Sequence, residues 1–85
     1  VTLYTRAGCG LCDEARQMLD TIGQEIPLEL REIDIEGDRM LEQAYFDRIP
    51  VLSFGGQQMA APIAPDALAG ALWRLHNRLR EGQTI

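Results

Sequence analysis

The only two cysteines of this 85-residue chain lie three positions apart, in the stretch Cys9-Gly10-Leu11-Cys12. Two thiols at this spacing can exchange with a disulfide or supply two ligands of a metal site. They can also form a structural disulfide, or simply be buried as small apolar side chains. Which of these chemistries applies depends on the elements that hold the pair.

The cysteine pair is predicted to lie where a strand turns into a helix. Residues 1–5 are rich in β-formers and their hydropathy alternates, which is typical of a strand. Gly8 and Gly10 end this pattern. A helix that ends near Gly23 is indicated by apolar residues at helical spacing, namely Leu11, Ala15, Met18, Leu19 and Ile22. Cys9 is therefore expected at the start of this helix.

A cysteine at a helix start is suited to nucleophilic chemistry. Unsatisfied backbone N–H groups and the positive end of the helix dipole favour the thiolate, which lowers the pKa of Cys9. Arg6 lies three residues earlier and adds a positive charge. Cys12 follows about one turn later, where we expect it to be more buried and still within reach. We therefore predict thiol–disulfide exchange, with Cys9 attacking and Cys12 resolving the mixed disulfide.

Two other classes of function stay open at this point. A closed zinc site needs four ligands, and His76 is the only histidine, so a metal site would need a second chain or external thiols. One alternative is therefore an iron–sulfur cluster carrier in which two chains are bridged through Cys9. The other is a non-catalytic adaptor whose cysteines are inert and whose surface binds a protein.

The rest of the chain predicts one α/β domain over residues 1–85. A second strand is expected over 28–35, with a bulge or an edge position near Arg31 because its apolar phase changes there. Asp38 is expected to cap a second helix. Gly55-Gly56 predicts a hairpin of 51–54 and 57–60, and a last helix is expected from Pro65 or Asp66 to Gly82. The order β-α-β-α-β-β-α predicts a four-stranded mixed sheet flanked by three helices.

Composition argues against several classes of partner. The net charge is −5, every basic residue is an arginine, and no basic stripe is present, so nucleic-acid binding is disfavoured. No apolar run approaches the roughly 20 residues that cross a bilayer, and no basic-then-apolar leader is seen. Two cysteines are too few for a disulfide scaffold. We expect a cytoplasmic monomer that binds neither nucleic acid nor membranes.

Two segments resemble glutaredoxins, which have the thioredoxin fold. They are Leu-Tyr-Thr-Arg-Ala-Gly-Cys-Gly-Leu-Cys at 3–12 and Arg-Ile-Pro-Val-Leu-Ser-Phe-Gly-Gly at 48–56. The resemblance covers nearly the whole chain and is greatest to short, divergent bacterial glutaredoxin-like proteins. It implies that Arg6 is the basic residue before the first cysteine and that Pro50 is a cis-proline. It also implies that the backbone of Ile49 pairs with an incoming peptide or glutathione.

The resemblance also bears on substrates and reductants. Glutaredoxins use a Gly-Gly pair and an acidic helix start to bind glutathione, whereas the matching region here, 60–66, has no glycine and one acid, Asp66. We expect Met59, Ala60, Ala61 and Ile63 to form an apolar rim around Cys9 that favours protein thiols. The resemblance implies no metal and no prosthetic cofactor. The substrate would be a protein or small-molecule disulfide, with glutathione or a thioredoxin-type protein as reductant.

Overall fold

The secondary-structure elements follow one another in the order that the sequence predicts. The structure, a computed structural model, describes the backbone of residues 1–83 and the side chains of residues 1–79. Its elements are β1 (Thr2–Thr5), α1 (Gly10–Gly23), β2 (Arg31–Asp34), α2 (Arg39–Tyr45), β3 (Val51–Phe54), β4 (Gln57–Ala60) and α3 (Pro65–Gln83). None of the helices described is both long enough and apolar enough to cross a membrane.

The four strands form one mixed sheet in the order β2-β1-β3-β4. β1 begins one residue later than predicted and runs parallel to β2, so α1 is the crossover between them. β3 is antiparallel to both β1 and β4. Since Tyr4 pairs with Val51, the C-terminal end of β1 lies beside the N-terminal end of β3. The loop that carries the cysteines and the segment that carries Pro50 therefore meet at one edge of the sheet.

The second strand is shorter than the sequence predicts. We expected a strand over 28–35, whereas β2 comprises Arg31–Asp34. Its four residues pair one to one with the four residues of β1. Beyond the strand, single hydrogen bonds join the Val1 amine to the Glu29 carbonyl and the Ile35 amide to the Thr5 carbonyl. Leu28 packs against the core from the preceding loop, and Ile35 is buried directly after the strand. The predicted edge position is correct, and the change of apolar phase marks the start of the strand rather than a bulge.

Local signals place the helix ends and the hairpin correctly. Asp38 is the N-cap of α2, and its side chain accepts a hydrogen bond from the amide of Leu41 at 3.1 Å. The β3–β4 turn is Gly55-Gly56, and both glycines have the positive φ that a two-residue hairpin turn favours (54° and 79°). α3 begins at Pro65, as predicted, and continues one residue past Gly82.

One face of the sheet carries the main hydrophobic core. Leu3 and Leu52, neighbours on β1 and β3, are fully buried at its centre. α1 covers them with a stripe at helical spacing, namely Cys12, Ala15, Leu19 and Ile22. α3 adds Leu68, Ala71 and Leu72. Cys12 therefore belongs to the buried face of α1.

The opposite face of the sheet is covered by α2. Tyr4 points away from the Leu3 side because successive strand residues alternate between faces. Its ring stacks on that of Tyr45 in α2, with ring centroids 4.6 Å apart. The Tyr45 hydroxyl also accepts a hydrogen bond from Nε2 of Gln58 in β4 at 3.0 Å. These contacts fix the C-terminal end of α2 against the sheet, directly before the Ile49-Pro50 segment.

Candidate functional site

Cys9 caps the N-terminus of α1. Its backbone is extended (φ −92°, ψ 105°), and its Sγ accepts a hydrogen bond from the amide of Cys12 at 3.2 Å. The sulfur therefore lies against N–H groups that have no partner within the helix, at the positive end of the helix dipole. This is an environment that stabilises a thiolate relative to a thiol.

The two cysteines form a disulfide and differ in accessibility. Their Cα atoms are 5.2 Å apart, within the usual range for a disulfide. Cys9 is half-buried, whereas Cys12 is 0% exposed. A molecule from solution can therefore contact Cys9 but not Cys12. Leu11, between them, is 54% exposed, so the tip of the motif is apolar.

Pro50 lies next to the cysteine motif. Its side chain is less than 2% exposed, and the Ile49–Pro50 peptide bond is cis, as the family resemblance implied. Pro50 and Leu11 line a cavity of about 110 Å³ together with Ala61, Pro62 and Ile63. Glu14 lines it as well, so the chain brings a surface from three separate segments to one side of the motif, and that surface is apolar apart from this one carboxylate.

The apolar rim differs in part from the sequence prediction. Ala61 and Ile63 line this cavity with Leu11 and Pro62, but neither Cys9, around which the rim was expected, nor Ala60 is among its lining residues. Met59 packs instead against the core, because it lies in β4 opposite the buried Leu52. Met59 is therefore part of the support of the site rather than of its surface.

One of the two main-chain hydrogen-bonding groups of Ile49 already has a partner within the chain. Its N–H donates to the carbonyl of Tyr45 at 3.1 Å, closing a single helical turn after α2. Within the part of the chain that the structure describes, the Ile49 carbonyl accepts no hydrogen bond. Ile49 itself is half-buried. The residue for which backbone pairing with a substrate was expected thus offers an acceptor but not a free donor.

A charged cleft lies on the other side of Cys9. It encloses about 410 Å³, and its charged lining residues are Arg6, Asp13, Arg16, Glu32 and Asp34. Arg6 is exposed and forms no ion pair with any side chain that the structure describes. The structure therefore brings Arg6 into the same cleft as Cys9, with its charge not neutralised by an ion pair.

Arg16 was not identified from the sequence. Its guanidinium donates from Nε to Glu32 on β2 and from Nη1 to Asp13 on α1. The hydrogen bond to Glu32, and then that to Asp13, raises the pKa of Arg16 above its usual value. The i,i+3 spacing of Asp13 and Arg16 could have suggested the pair on α1. No sequence signal gives Glu32 as the second partner, because it depends on the position of β2 beside α1.

The only histidine lies apart from these residues. His76 contacts the Trp73 ring edge-on within α3, with ring centroids 6.0 Å apart, and it lines neither of the surfaces beside the motif. Among the described side chains, those of residues 1–79, no group of three or more histidine, cysteine or acidic residues is placed to hold a metal ion. The chemistry that the described residues bring together is that of two sulfurs, one accessible and one buried.

Comparison with known proteins identifies relatives of this chain. A family model described as a glutaredoxin-like domain (DUF836) matches residues 1–82. Uncharacterized proteins of Mycobacterium bovis and Mycobacterium tuberculosis are each 30% identical to it over 63 residues. These matches cover 68% of this chain and 65% of each relative. About a third of the length of each relative therefore lies outside the match.

Two solved structures share the architecture. A structural-genomics target protein from X. campestris superposes with a TM-score of 0.74 and 33% identity, over 84% of this chain and 92% of the other. Thioredoxin 1 of Thermosipho africanus superposes with a TM-score of 0.67 over 93% of this chain and 96% of the other, at 12% identity. The second likeness is one of fold alone. Together with the match over residues 1–82, these findings mean that the chain has the thioredoxin fold and belongs to the glutaredoxin-like domain family.

Proposed function

We propose that this domain is a thiol–disulfide oxidoreductase that reduces protein or small-molecule disulfides. Cys9 is the nucleophile and Cys12 the resolving thiol. The observation that carries the proposal is the pairing of a half-buried sulfur at a helix N-terminus with a sulfur that is 0% exposed. This asymmetry favours one order of attack, because only Cys9 can meet a substrate from solution.

The reaction proceeds through a mixed disulfide. The Cys9 thiolate attacks one sulfur of the substrate disulfide, forming a Cys9–substrate bond while the other substrate sulfur leaves as a thiolate and takes a proton from water. Cys12 then attacks Cys9 Sγ, and its proton passes to the second substrate sulfur as that sulfur departs. The Cys9–Cys12 disulfide forms, and the second substrate thiol leaves. Two electrons have passed from the cysteine pair to the substrate.

The oxidised form is returned to the dithiol by external thiols. Two molecules of glutathione, or one thioredoxin-type dithiol protein, supply the two electrons by the same exchange in reverse. No prosthetic group takes part. The proposal places the reaction in a reducing compartment, such as the cytoplasm, where thiol reductants are abundant. Both cysteines that react belong to one chain, so the proposed reaction requires only a monomer.

Three further residues have proposed roles. Arg6 stabilises the Cys9 thiolate and the leaving thiolate through its charge in the shared cleft. Pro50 forms the apolar floor beside the motif, and the main chain of Ile49 contacts the substrate. The position of both residues beside β1's C-terminal end supports these roles.

The redox couple can be tested directly. The purified protein is equilibrated with a graded series of reduced and oxidised glutathione, and its intact mass is measured after acid quenching. We expect a loss of two hydrogens at a defined glutathione ratio, which also gives the reduction potential. A mass that never changes across this series would contradict the proposal.

The roles of the two cysteines require a matched pair of variants. Cys12→Ser should accumulate a stable mixed disulfide at Cys9, because no thiol remains to resolve it. Cys9→Ser should accumulate none, since Cys12 is 0% exposed. Trapping by Cys9→Ser alone would reverse the assignment.

The alternative functions predict different results in the same preparation. A cluster carrier would be brown, with visible absorbance, after anaerobic purification. An adaptor would fold and bind its partner unchanged when both cysteines are replaced by serine. Either result, combined with an unchanging mass in the glutathione series, would replace the proposal made here.

A further inference from the structure

The cavity beside Leu11 combines an apolar lining with one charge. Its residues from α1 lie on one face of the helix at spacings of three and four, namely Leu11, Glu14, Ala15 and Met18. The facing wall consists of Pro50 and the segment 61–63. Glu14 is the one ionisable residue in this lining, and its side chain is exposed. The cavity therefore presents a carboxylate next to apolar surface.

The charge of Glu14 is not matched by an ion pair with any side chain that the structure describes. Arg48 adjoins the cavity through its main chain, since its carbonyl accepts a hydrogen bond from the Ala61 amide at 3.3 Å. Its guanidinium, however, lies 4.0 Å from the carboxylate of Asp47, and Arg48 does not line the cavity. Asp66 follows the lining segment, in the first turn of α3, and carries a charge of the same sign as Glu14. A cation from outside is therefore complementary to this side of the motif.

The size of the cavity suits a single side chain. Its volume is about 110 Å³. An engineered apolar cavity of about 150 Å³ can hold benzene, so this space admits one side chain but not a helix or strand of a partner. Lysine and arginine bury their aliphatic stems against apolar surface and keep the charged end accessible. Such a stem would contact Leu11 and Pro50 while its charge reaches the Glu14 carboxylate.

A substrate bonded to Cys9 has neighbouring residues within reach of this cavity. Cys9 caps α1, and Leu11, which lines the cavity, lies two residues further on. An extended peptide advances about 3.3–3.6 Å per residue. The side chain that enters the cavity therefore belongs to a residue close in sequence to the substrate cysteine. Arg6 does not oppose its charge there, because Arg6 lines the cleft on the other side of Cys9 and not this cavity.

We propose that Glu14 selects protein substrates in which a lysine or arginine lies within two residues of the reactive cysteine. The stem of that side chain fills the apolar cavity, and its charge pairs with the Glu14 carboxylate. The inference rests on the proposed function and specifies its substrate class. Glu14 is thus a specificity-determining residue and takes no part in the transfer of electrons.

The test uses chromogenic peptides with the reduced protein. Each peptide is acetylated and amidated and has one cysteine, disulfide-bonded to 2-nitro-5-thiobenzoate. The Cys9 thiolate bonds to the peptide sulfur, the original disulfide breaks, and its electron pair leaves with the coloured thiolate. Lysine is placed in turn at each of the two positions on either side of the cysteine. In the matched peptides norleucine takes its place, which keeps the four-carbon stem and lacks the charge.

The quantity compared is the ratio of the lysine rate to the norleucine rate. At one or more positions we expect this ratio to be about threefold larger in the wild-type protein than in Glu14→Gln, as for an exposed ion pair. In Glu14→Arg it should be lower still, because the charges then repel. In about 1 M salt the difference between the proteins should disappear. Comparing ratios between proteins removes both the intrinsic effect of lysine on the peptide disulfide and any change in the reactivity of Cys9.

The matched control is Glu25→Gln, which removes the same charge beyond the other end of α1, where Glu25 is exposed. Its ratio should equal that of the wild-type protein. An equal decrease in both variants would mean that the net charge attracts the peptide, and would overturn the inference. A ratio that is unchanged in Glu14→Gln at every position would overturn it equally. If no peptide releases the chromophore while the glutathione series still shows a redox couple, the substrate inference fails and the redox proposal stands.

Discussion

Two arginines line the cleft of Cys9, and their surroundings differ. Arg16 is bonded to Asp13 and Glu32, so its charge is matched by carboxylates. Arg6 has no such partner within the described part of the chain. Arg6 is therefore the cation of the cleft that no ion pair neutralises, and the carboxylate of Asp34 lines the same cleft. Arg6 was selected from its spacing before Cys9, and the structure places it in the cleft that Cys9 also lines.

Replacing Arg6 tests whether its charge affects the reactivity of the Cys9 thiol. In Arg6→Gln we expect the rate of Cys9 alkylation by iodoacetamide near neutral pH to fall about twofold, since exposed charges several ångströms apart interact weakly in water. The measurement is made in the Cys12→Ser background so that a single thiol reacts. In about 1 M salt the difference should disappear, because the charge is then screened.

The matched control is Arg39→Gln, which removes the same charge from the exposed start of α2. Its alkylation rate should equal that of the parent. Equal slowing in both variants would show that net charge, and not the position of Arg6, governs the thiol.

At the scale of elements, α2 positions the Ile49-Pro50 segment beside the cysteine motif. The helix has only seven residues and none of them is buried, so it depends on its cap and on the Tyr45 contacts. A helix of this length has little intrinsic stability. The Ile49 N–H bond to Tyr45 therefore depends on an element that is itself held by a few local contacts.

The cap of α2 provides a prediction about stability. Asp38→Ala removes the bond from the Leu41 amide and should lower the free energy of unfolding by about 1 kcal/mol in urea titrations. Asp47→Ala is the control, because Asp47 is exposed beyond the helix and its carboxylate lies 4.0 Å from the guanidinium of the exposed Arg48. A loss that is the same in both variants would mean that charge, rather than capping, is responsible.

Arg16 provides a prediction about the link between α1 and β2. Arg16→Gln removes both ion pairs, and we expect a small drop in the urea midpoint at low salt that disappears at high salt. The pKa of Arg16 is raised in the folded state, so the guanidinium's contribution is present below its unfolded pKa and is lost only as pH rises through the higher folded value. Its deprotonation should therefore add no pH dependence between about pH 6 and about pH 9. Arg39→Gln again serves as the control, and a drop that persists in high salt would contradict an electrostatic origin.

Local signals in the sequence were sufficient for several elements. Asp38 and Gly55-Gly56 act on their immediate neighbours, so the cap and the hairpin turn follow from a few residues. The bounds of β2 could not be predicted this way, because they depend on the length of β1. The bond between the Ile49 N–H and Tyr45 was also not foreseen, since it depends on where the helix ends relative to Pro50.

At the scale of the whole molecule, stability depends on a small core between the sheet and α1 and α3. Domains of this kind have about 5–15 kcal/mol of net stability. Leu52 is 0% exposed in the centre of the sheet. Leu52→Ala should therefore cost about 2–5 kcal/mol, measured as the free energy of unfolding in urea.

The same substitution at an exposed position is the control. Leu79 in α3 is 59% exposed, and Leu79→Ala should change stability little. A small effect at Leu52 would show that the sheet and helices can close around the space left by the side chain. Neither result bears on the redox roles, which the glutathione series tests separately.

The two sulfurs of the candidate site could be predicted from the sequence, whereas most of the residues around them could not. The spacing of Cys9 and Cys12 and the strand-to-helix setting gave the motif, because they are contiguous in sequence. Glu32 and Tyr45 reach the site through the packing of the whole chain. Pro50 was placed by family resemblance, since no local pattern indicates that it adjoins the cysteines.

The burial of Cys12 has a consequence for oxidative damage. Hydrogen peroxide would oxidise the accessible Cys9 thiolate to a sulfenic acid, with release of hydroxide. Cys12, one helical turn away and sealed from solvent, is placed to condense with it, expelling water and forming the disulfide. Condensation of this kind competes with further oxidation to sulfinic acid, which thiols do not reverse. Because Cys12 is placed to condense with the sulfenic acid, oxidation of Cys9 by peroxide would end in a disulfide. Cellular thiols can reduce a disulfide back to the two thiols.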